Sequence, residues 1–206
     1  MTRRGLAIAA VAVLVVAAAA YGWCRADLRW RPRTLKVHEA EIAALVETAG
    51  WVSPGETSGR VLYLVGFRSC PDCIRFEREQ FPLLRAAHVD TRVILYPRRS
   101  VSDAPERAGV AELWKTRSWA TWERWSAVTP AAWTAAGIPP ADTDPERAAL
   151  VEKSRKLVDA LGPLLADNGV RIAFPTLIWR DAKGRLRGCA CERPVTYKYV
   201  RKELGA

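Results

Sequence analysis

Histidine and methionine are almost missing from this chain: His38, His88 and Met1 are the only three such residues in 206. Neither histidine stands at a metal-ligand spacing, so a histidine-based zinc site has no donor set. Scarce methionine also weighs against a soft-metal carrier. No basic run interleaved with aromatics occurs. The formal net charge is +10, but the arginines are scattered. That describes a solvated basic surface, and nucleic acid is not an expected partner. Internal repeats are absent, and so are low-complexity tracts beyond an alanine-rich start.

What the chain does have begins with bulk. Half of it is apolar and 26% is charged, the balance of a globular domain with an extension. Residues 6–21 form one uncharged run rich in Ala and Val, preceded by Arg3 and Arg4. A spanning helix needs ~20 apolar residues and a signal core ~7–15, so the run sits between the two. Ala18-Ala19-Ala20 offers a small-x-small cleavage site, Thr2-Arg3-Arg4 is a weak twin-arginine-like start, and Trp23 and Trp30 suit a membrane interface. Residues 1–23 are therefore expected to be a signal peptide or membrane anchor, with the remainder exported. Arg25, Arg29, Arg31, Arg33 and Lys36 pull the other way, because positive residues favour the cytoplasmic side. Cys24 follows Gly22-Trp23, which is not a lipid-attachment context, and reads as an unpaired thiol.

The chemistry-bearing stretch is Phe67-Arg-Ser-Cys70-Pro71-Asp72-Cys73-Ile-Arg-Phe76. An apolar strand-like segment, residues 61–65, precedes it, and a helix-like segment, residues 74–84, follows. A Cys-x-x-Cys at a strand-to-helix junction is the layout of a redox dithiol. The first sulfur sits where unpaired N–H groups and the helix dipole stabilise a thiolate; the second lies one turn on, able to resolve a mixed disulfide. Half of a zinc site and a structural disulfide are the competing readings, although no matching Cys/His half-site follows. Pro71 suits the first helical turn. Asp72 opposes a depressed Cys70 pKa, and Arg68 and Arg75 are candidates to offset it.

Downstream, Ile172-Ala-Phe174-Pro175-Thr176-Leu-Ile-Trp179 reads as a strand opened by proline, followed by a turn at 181–184 and a returning strand. Between the halves, residues 98–171 read as a helical insertion. One helix is expected over 104–127, carrying a core stripe of Leu113, Trp114, Trp119, Trp122 and Trp125, and another over 146–167. A final helix is expected over 195–204.

These motifs together resemble the thioredoxin fold, and the element order resembles its periplasmic Dsb-type thiol:disulfide oxidoreductases. The resemblance implies an α/β, thioredoxin-like fold with a helical insertion, plus the N-terminal apolar signal/anchor helix. Its segments are an anchor at 1–23, a stalk with helix and loop at 24–59, core halves at 60–97 and 172–206, and the insertion at 98–171. It implies that Pro175 is cis and faces Cys70 and Cys73, with Phe174 and Thr176 beside it and Pro71 and Asp72 opposite, forming the substrate dock. It also implies that exported protein thiols are the substrates, that a separate redox partner exists, that no cofactor is needed, and that the chain is a periplasmic or extracytoplasmic monomer. Two departures stand out. Leu64 occupies the place, six residues before Cys70, where reductases of this fold keep a buried acid, and the dimerisation module of the isomerases is missing.

Cys189-Ala-Cys191 is unusual. Gly188 fits the glycine that closes the last strand of this fold beside the active-site groove. The pair is then a structural disulfide, a second redox pair, or part of a soft-metal site with Cys70 and Cys73. A Cys-x-Cys ring is small, and strained disulfides are more oxidising. The competing function is a copper-binding chaperone that uses the thiolates of Cys70, Cys73, Cys189 and Cys191.

Overall fold

The computed structural model describes residues 12–24 and 31–206. Two compact units are present, Met1–Arg31 and Pro32–Ala206. In the first, residues 12–24 are helical, α1, and Cys24 is a free and exposed thiol. No described helix is long and apolar enough to cross a membrane, so the expected anchor gains no support from the described residues. Residues 6–11 of the apolar run lie outside them, as do Arg3, Arg4, Arg25, Arg29 and Trp30.

The second unit is built on five strands: β1 (Arg33–Thr34), β2 (Val61–Gly66), β3 (Asp90–Leu95), β4 (Thr176–Arg180) and β5 (Leu186–Ala190). Their order is β1-β5-β4-β2-β3, with β2 and β3 parallel and every other pair antiparallel. β2 lies between β3 and β4, which explains its near-continuous apolar run: both faces are covered. The helices are α2 (Glu39–Glu47), α3 (Pro71–Ala86), α4 (Ala104–Thr116), α5 (Trp119–Ser126), α6 (Pro145–Ala166) and α7 (Tyr197–Leu204). This is the α/β, thioredoxin-like architecture with a helical insertion.

Several boundaries differ from the sequence reading. The single helix expected over 104–127 is two. Arg117 closes α4 in a left-handed conformation (φ 52°), and the Ser118 hydroxyl accepts the Thr121 N–H at 3.2 Å to open α5. A cap of this kind satisfies an otherwise unpaired donor. Pro82 lies inside α3, which runs on to Ala86. β4 begins at Thr176, after the proline rather than before it. The expected stalk and loop are part of the fold: Arg33–Thr34 pair with β5, Leu35, Ile42 and Val52 are fully buried, and Val52 bridges Val93 of β3.

Trp114, Trp122 and Trp125 are buried as the stripe predicts, whereas Trp119 is partly exposed and stacks on Trp122 with centroids 4.5 Å apart. Trp114 donates its Nε1–H to the Leu95 carbonyl at 2.8 Å, fastening the insertion to the end of β3. Gly109 of α4 lets Trp125 approach: a β-carbon there would lie 2.8 Å from the indole ring. Gly109→Ala should therefore cost ~1–3 kcal/mol through overpacking. Thermal unfolding would register this as a drop of ~2–4 °C per kcal/mol for a domain of this size. An unchanged Tm would mean that the contact is slack.

Candidate active site

The site forms where β2 ends and α3 begins. Cys70 is the N-cap of α3, with extended backbone angles, and Pro71 opens the first turn. Proline there forfeits only an N–H that would have no helical acceptor. The Cys70 Sγ accepts the Cys73 N–H at 3.1 Å. Cys73 is only 1% exposed and rests on Gly66, where a β-carbon would come within 2.8 Å of its sulfur. Gly66 thus leaves the room that the second sulfur occupies.

Opposite lies the turn into β4. The Phe174–Pro175 peptide is cis. The Cys70 thiol points at the Phe174 carbonyl, Sγ to O 3.6 Å. The register makes this meeting unavoidable: Val65 pairs with Thr176, so the C-terminal end of β2 lies beside Pro175. Thr176 is buried and donates its hydroxyl to the Ala173 carbonyl at 2.7 Å, tightening the turn. The half-buried Phe174 ring packs against Phe67 and Tyr96, at centroid distances of 5.5 and 5.2 Å. Cys70 therefore faces Phe174, in the turn that Pro175 and Thr176 continue into β4.

The two sulfurs are driven apart electrostatically. Hydrogen bonding from Cys73 lowers the Cys70 pKa most; burial opposes it, backbone N–H groups of Cys73 and Asp72 assist, and the Asp72 carboxylate opposes. Burial pushes the Cys73 thiol far up, and the neighbouring Cys70 adds to that. One thiolate held by helix-terminal donors above one buried thiol is the asymmetry a two-step exchange requires. Asp72 pairs with Arg75, which also reaches the Glu192 carbonyl at 3.2 Å. Arg68 does not join it. Its guanidinium turns inward and donates to the carbonyls of Ser126 and Val128, both at 3.0 Å.

Sequence reading missed Glu77. Burial raises its pKa to about 7, Arg68 pulls it down, and Cys70 adds to the rise. Its charge is also felt at Cys73. The signal was available, since Glu77 stands four residues after Cys73 on one helix and so shares its face.

Cys189 and Cys191 form a disulfide. Leu64 pairs with Leu177 and Leu177 with Cys189, so these side chains share a sheet face with Gly66, under Cys73. α7 covers the same face, where Arg187 pairs with Glu203 at 2.7 Å. The Cys191 N–H donates to the Pro175 carbonyl at 2.8 Å, beside the turn that faces Cys70. Gly188 does not close the strand as expected. It lies mid-strand, where Leu35 approaches so closely that a β-carbon would meet it at 3.0 Å. Among the described residues, no group of three or more His, Cys, Asp or Glu side chains could hold a metal ion.

A thiol pair at a helix start facing a cis-proline turn, with a helical insertion between the two halves of the core, defines a thioredoxin-like fold. Among solved structures the chain is similar to BcfH of Salmonella enterica Typhimurium, with TM-score 0.55, 15% identity, and coverage of 98% of this chain and 91% of that one. It is also similar to ScsC of Proteus mirabilis in a transitional conformation, with TM-score 0.50, 15% identity, and coverage of 98% and 93%. A weaker likeness, TM-score 0.46 at 14% identity over 81% of this chain and 91% of that one, is to the thiol-disulfide exchange protein alpha-DsbA2 from Wolbachia pipientis. No protein-family model matches the chain, and no curated protein matches its sequence.

The thiol asymmetry makes a measurable difference. Alkylation requires the thiolate. In the reduced protein, Cys70 labelling by iodoacetamide should persist to pH values below the ~8.5 midpoint of an ordinary thiol. Cys73 should stay unlabelled throughout that range. Site-resolved mass spectrometry would expose the opposite order, which contradicts the geometry.

Proposed function

We propose that this chain is a thiol:disulfide oxidoreductase acting on exported protein substrates, with Cys70 as nucleophile and Cys73 as resolving thiol. One observation carries the reading: Cys70 Sγ takes a helix-terminal N–H at 3.1 Å while lying 3.6 Å from the Phe174 carbonyl. That places the reactive sulfur against a stretch of backbone where an extended substrate peptide can lie. Phe174, Pro175 and Thr176 form one side of this dock, and Pro71 and Asp72 the other.

In the oxidising direction, a substrate thiolate attacks the Cys70 sulfur of the Cys70–Cys73 disulfide. A substrate–Cys70 bond forms, the Cys70–Cys73 bond breaks, and Cys73 leaves with the electron pair and takes a proton. Its raised pKa favours that protonation, and Glu77, titrating at about 7, is a nearby carboxyl able to supply it. The second substrate thiolate then attacks the first substrate sulfur, and Cys70 departs as a thiolate. The substrate loses two electrons and the protein gains them. A low leaving-group pKa makes this step fast. Reduction of a substrate disulfide runs through the same steps backwards. A separate thiol or disulfide protein would restore the starting state. The apolar N-terminal run supports an extracytoplasmic location, where disulfides persist.

Cys189–Cys191 is, on this reading, a second redox pair. It shares a face with Cys73 but stands two strands across, about 10 Å at normal strand spacing, so exchange requires the end of β5 to move. Differential alkylation after one equivalent of a reduced dithiol peptide should find thiols at Cys189 and Cys191 in the wild type and not in Cys73→Ser. Electrons that stay on Cys70 and Cys73 at every ratio would assign the bridge a purely structural role.

The principal test is trapping. Cys73→Ser should accumulate substrate on Cys70 as mixed disulfides, visible on non-reducing gels and lost with reductant. Cys70→Ser should trap nothing and lose at least ~100-fold in exchange with a model disulfide peptide. Full exchange activity in both variants would sink the assignment.

A further inference from the structure

A groove of about 720 Å³ runs along α3 on the side where α5 packs. Its floor is apolar, formed by Ile74, Phe81 and Trp122. Phe81 and Trp122 are buried, their rings 5.8 Å apart. The rim is cationic, with Arg78 and Arg85 on the exposed side of α3. Pro82 also lines the groove, adding apolar surface with no N–H of its own.

Arg68 also lines the groove. Arg68 is 5% exposed, and its Nε and Nη1 atoms are buried without a hydrogen-bond partner. Its Nη2 alone is spoken for, by carbonyls at the end of α5. Glu106 takes the Arg68 backbone N–H at 3.2 Å rather than the guanidinium. Two orphaned donors on a buried guanidinium are costly, and an anionic oxygen is the acceptor that suits either of them. Glu77 lines the same groove, but burial lifts its pKa to about 7, so near neutrality it supplies only part of a counter-charge.

We propose that this groove binds an amphiphilic carboxylate, with its headgroup at Arg68 and an apolar chain lying along α3 under Arg78 and Arg85. The volume falls in the ~300–1,000 Å³ range of small-ligand sites, which favours a small molecule over a folded partner. From Ile74 to Ala86 the helix rises about 18 Å at 1.5 Å per residue, room for a medium-length acyl chain. Charge complementarity selects the acid over a neutral lipid of the same length. Neither cysteine lines the groove, and Glu77 is the one residue it shares with the exchange steps proposed above.

The test uses the full chain with its disulfides oxidised, titrated with dodecanoate and, separately, with its uncharged methyl ester. Calorimetry supplies the readout. Dodecanoate should bind saturably at one site, at least ~10-fold more tightly than the ester; tenfold corresponds to ~1.4 kcal/mol. Arg78→Glu combined with Arg85→Glu should weaken binding at least ~10-fold, and Ala86→Trp, which fills the groove from its exposed end, should abolish it. Lys183→Glu, an exposed charge that does not line the groove, should change nothing. Arg68→Gln should show the largest loss; because it is buried and can impair folding, the three surface positions carry the test independently. Equal affinity for the ester, indifference to the α3 variants, or an equal loss in Lys183→Glu would each overturn the proposal.

Discussion

The pairing of Val65 with Thr176 is the constraint on which the rest depends. It joins two segments more than one hundred residues apart in sequence and sets one strand end beside another. β2 delivers Cys70 to the top of the sheet, and β4 starts from the turn that meets it. A slip of one residue would send each side chain of β4 to the opposite face. Leu177 would leave the face it shares with Leu64 and Cys189, and the carbonyl opposite Cys70 would change. The helical insertion can be long because both its ends are held by strands of one sheet, β3 and β4, with β2 between them. Its own fastening, from Trp114 to the Leu95 carbonyl, needs no part of the thiol site.

Within that frame the two thiols are set apart by depth more than by neighbours. Cys70 stands at the helix end, where backbone donors converge, and Cys73 lies one turn further in, over a strand glycine. Burial is the largest reason that the second sulfur keeps its proton, and Cys70 and Glu77 add to it. The first is relieved of the same penalty by the donors around it. Asp72 looks unfavourable in sequence because it brings a negative charge close to a thiolate. In the fold that charge is shared with Arg75, which also holds the backbone of Glu192. The motif's acid thereby serves as an anchor between α3 and the segment after β5.

Much of this was legible in the residues. The strand–Cys70–Pro71–Asp72–Cys73–helix order declares itself through local rules: an apolar run, a proline at a helix start, a helical stripe beyond. The turn at Phe174–Pro175–Thr176 was legible by resemblance, since nothing local to it specifies a partner far away in sequence. What stayed hidden depended on side chains finding partners. Arg117 shows no strong preference for a left-handed conformation, so the division of α4 from α5 rested on Ser118 alone. Arg33 and Thr34 are too short a segment to signal a strand; they become one because Gly188 of β5 has no side chain and Leu35 fills the gap. Arg68 looked like a counter-ion for the active site because of its position in sequence, yet carbonyls at the end of α5 turn it away. Glu77 was obscured because its environment, not its type, gives it a near-neutral pKa.

The short β1 strand has a consequence for how the molecule behaves among other chains. Two residues on one border of the sheet, and the lone Val52–Val93 bridge on the other, occupy backbone that would otherwise be open to any extended peptide. A border so blunted offers an incoming strand few free donors and acceptors to template on. An edge left open to extended chains is a route to aggregation. With both borders blunted, the turn before Thr176 presents its backbone away from the sheet edges, within reach of Cys70.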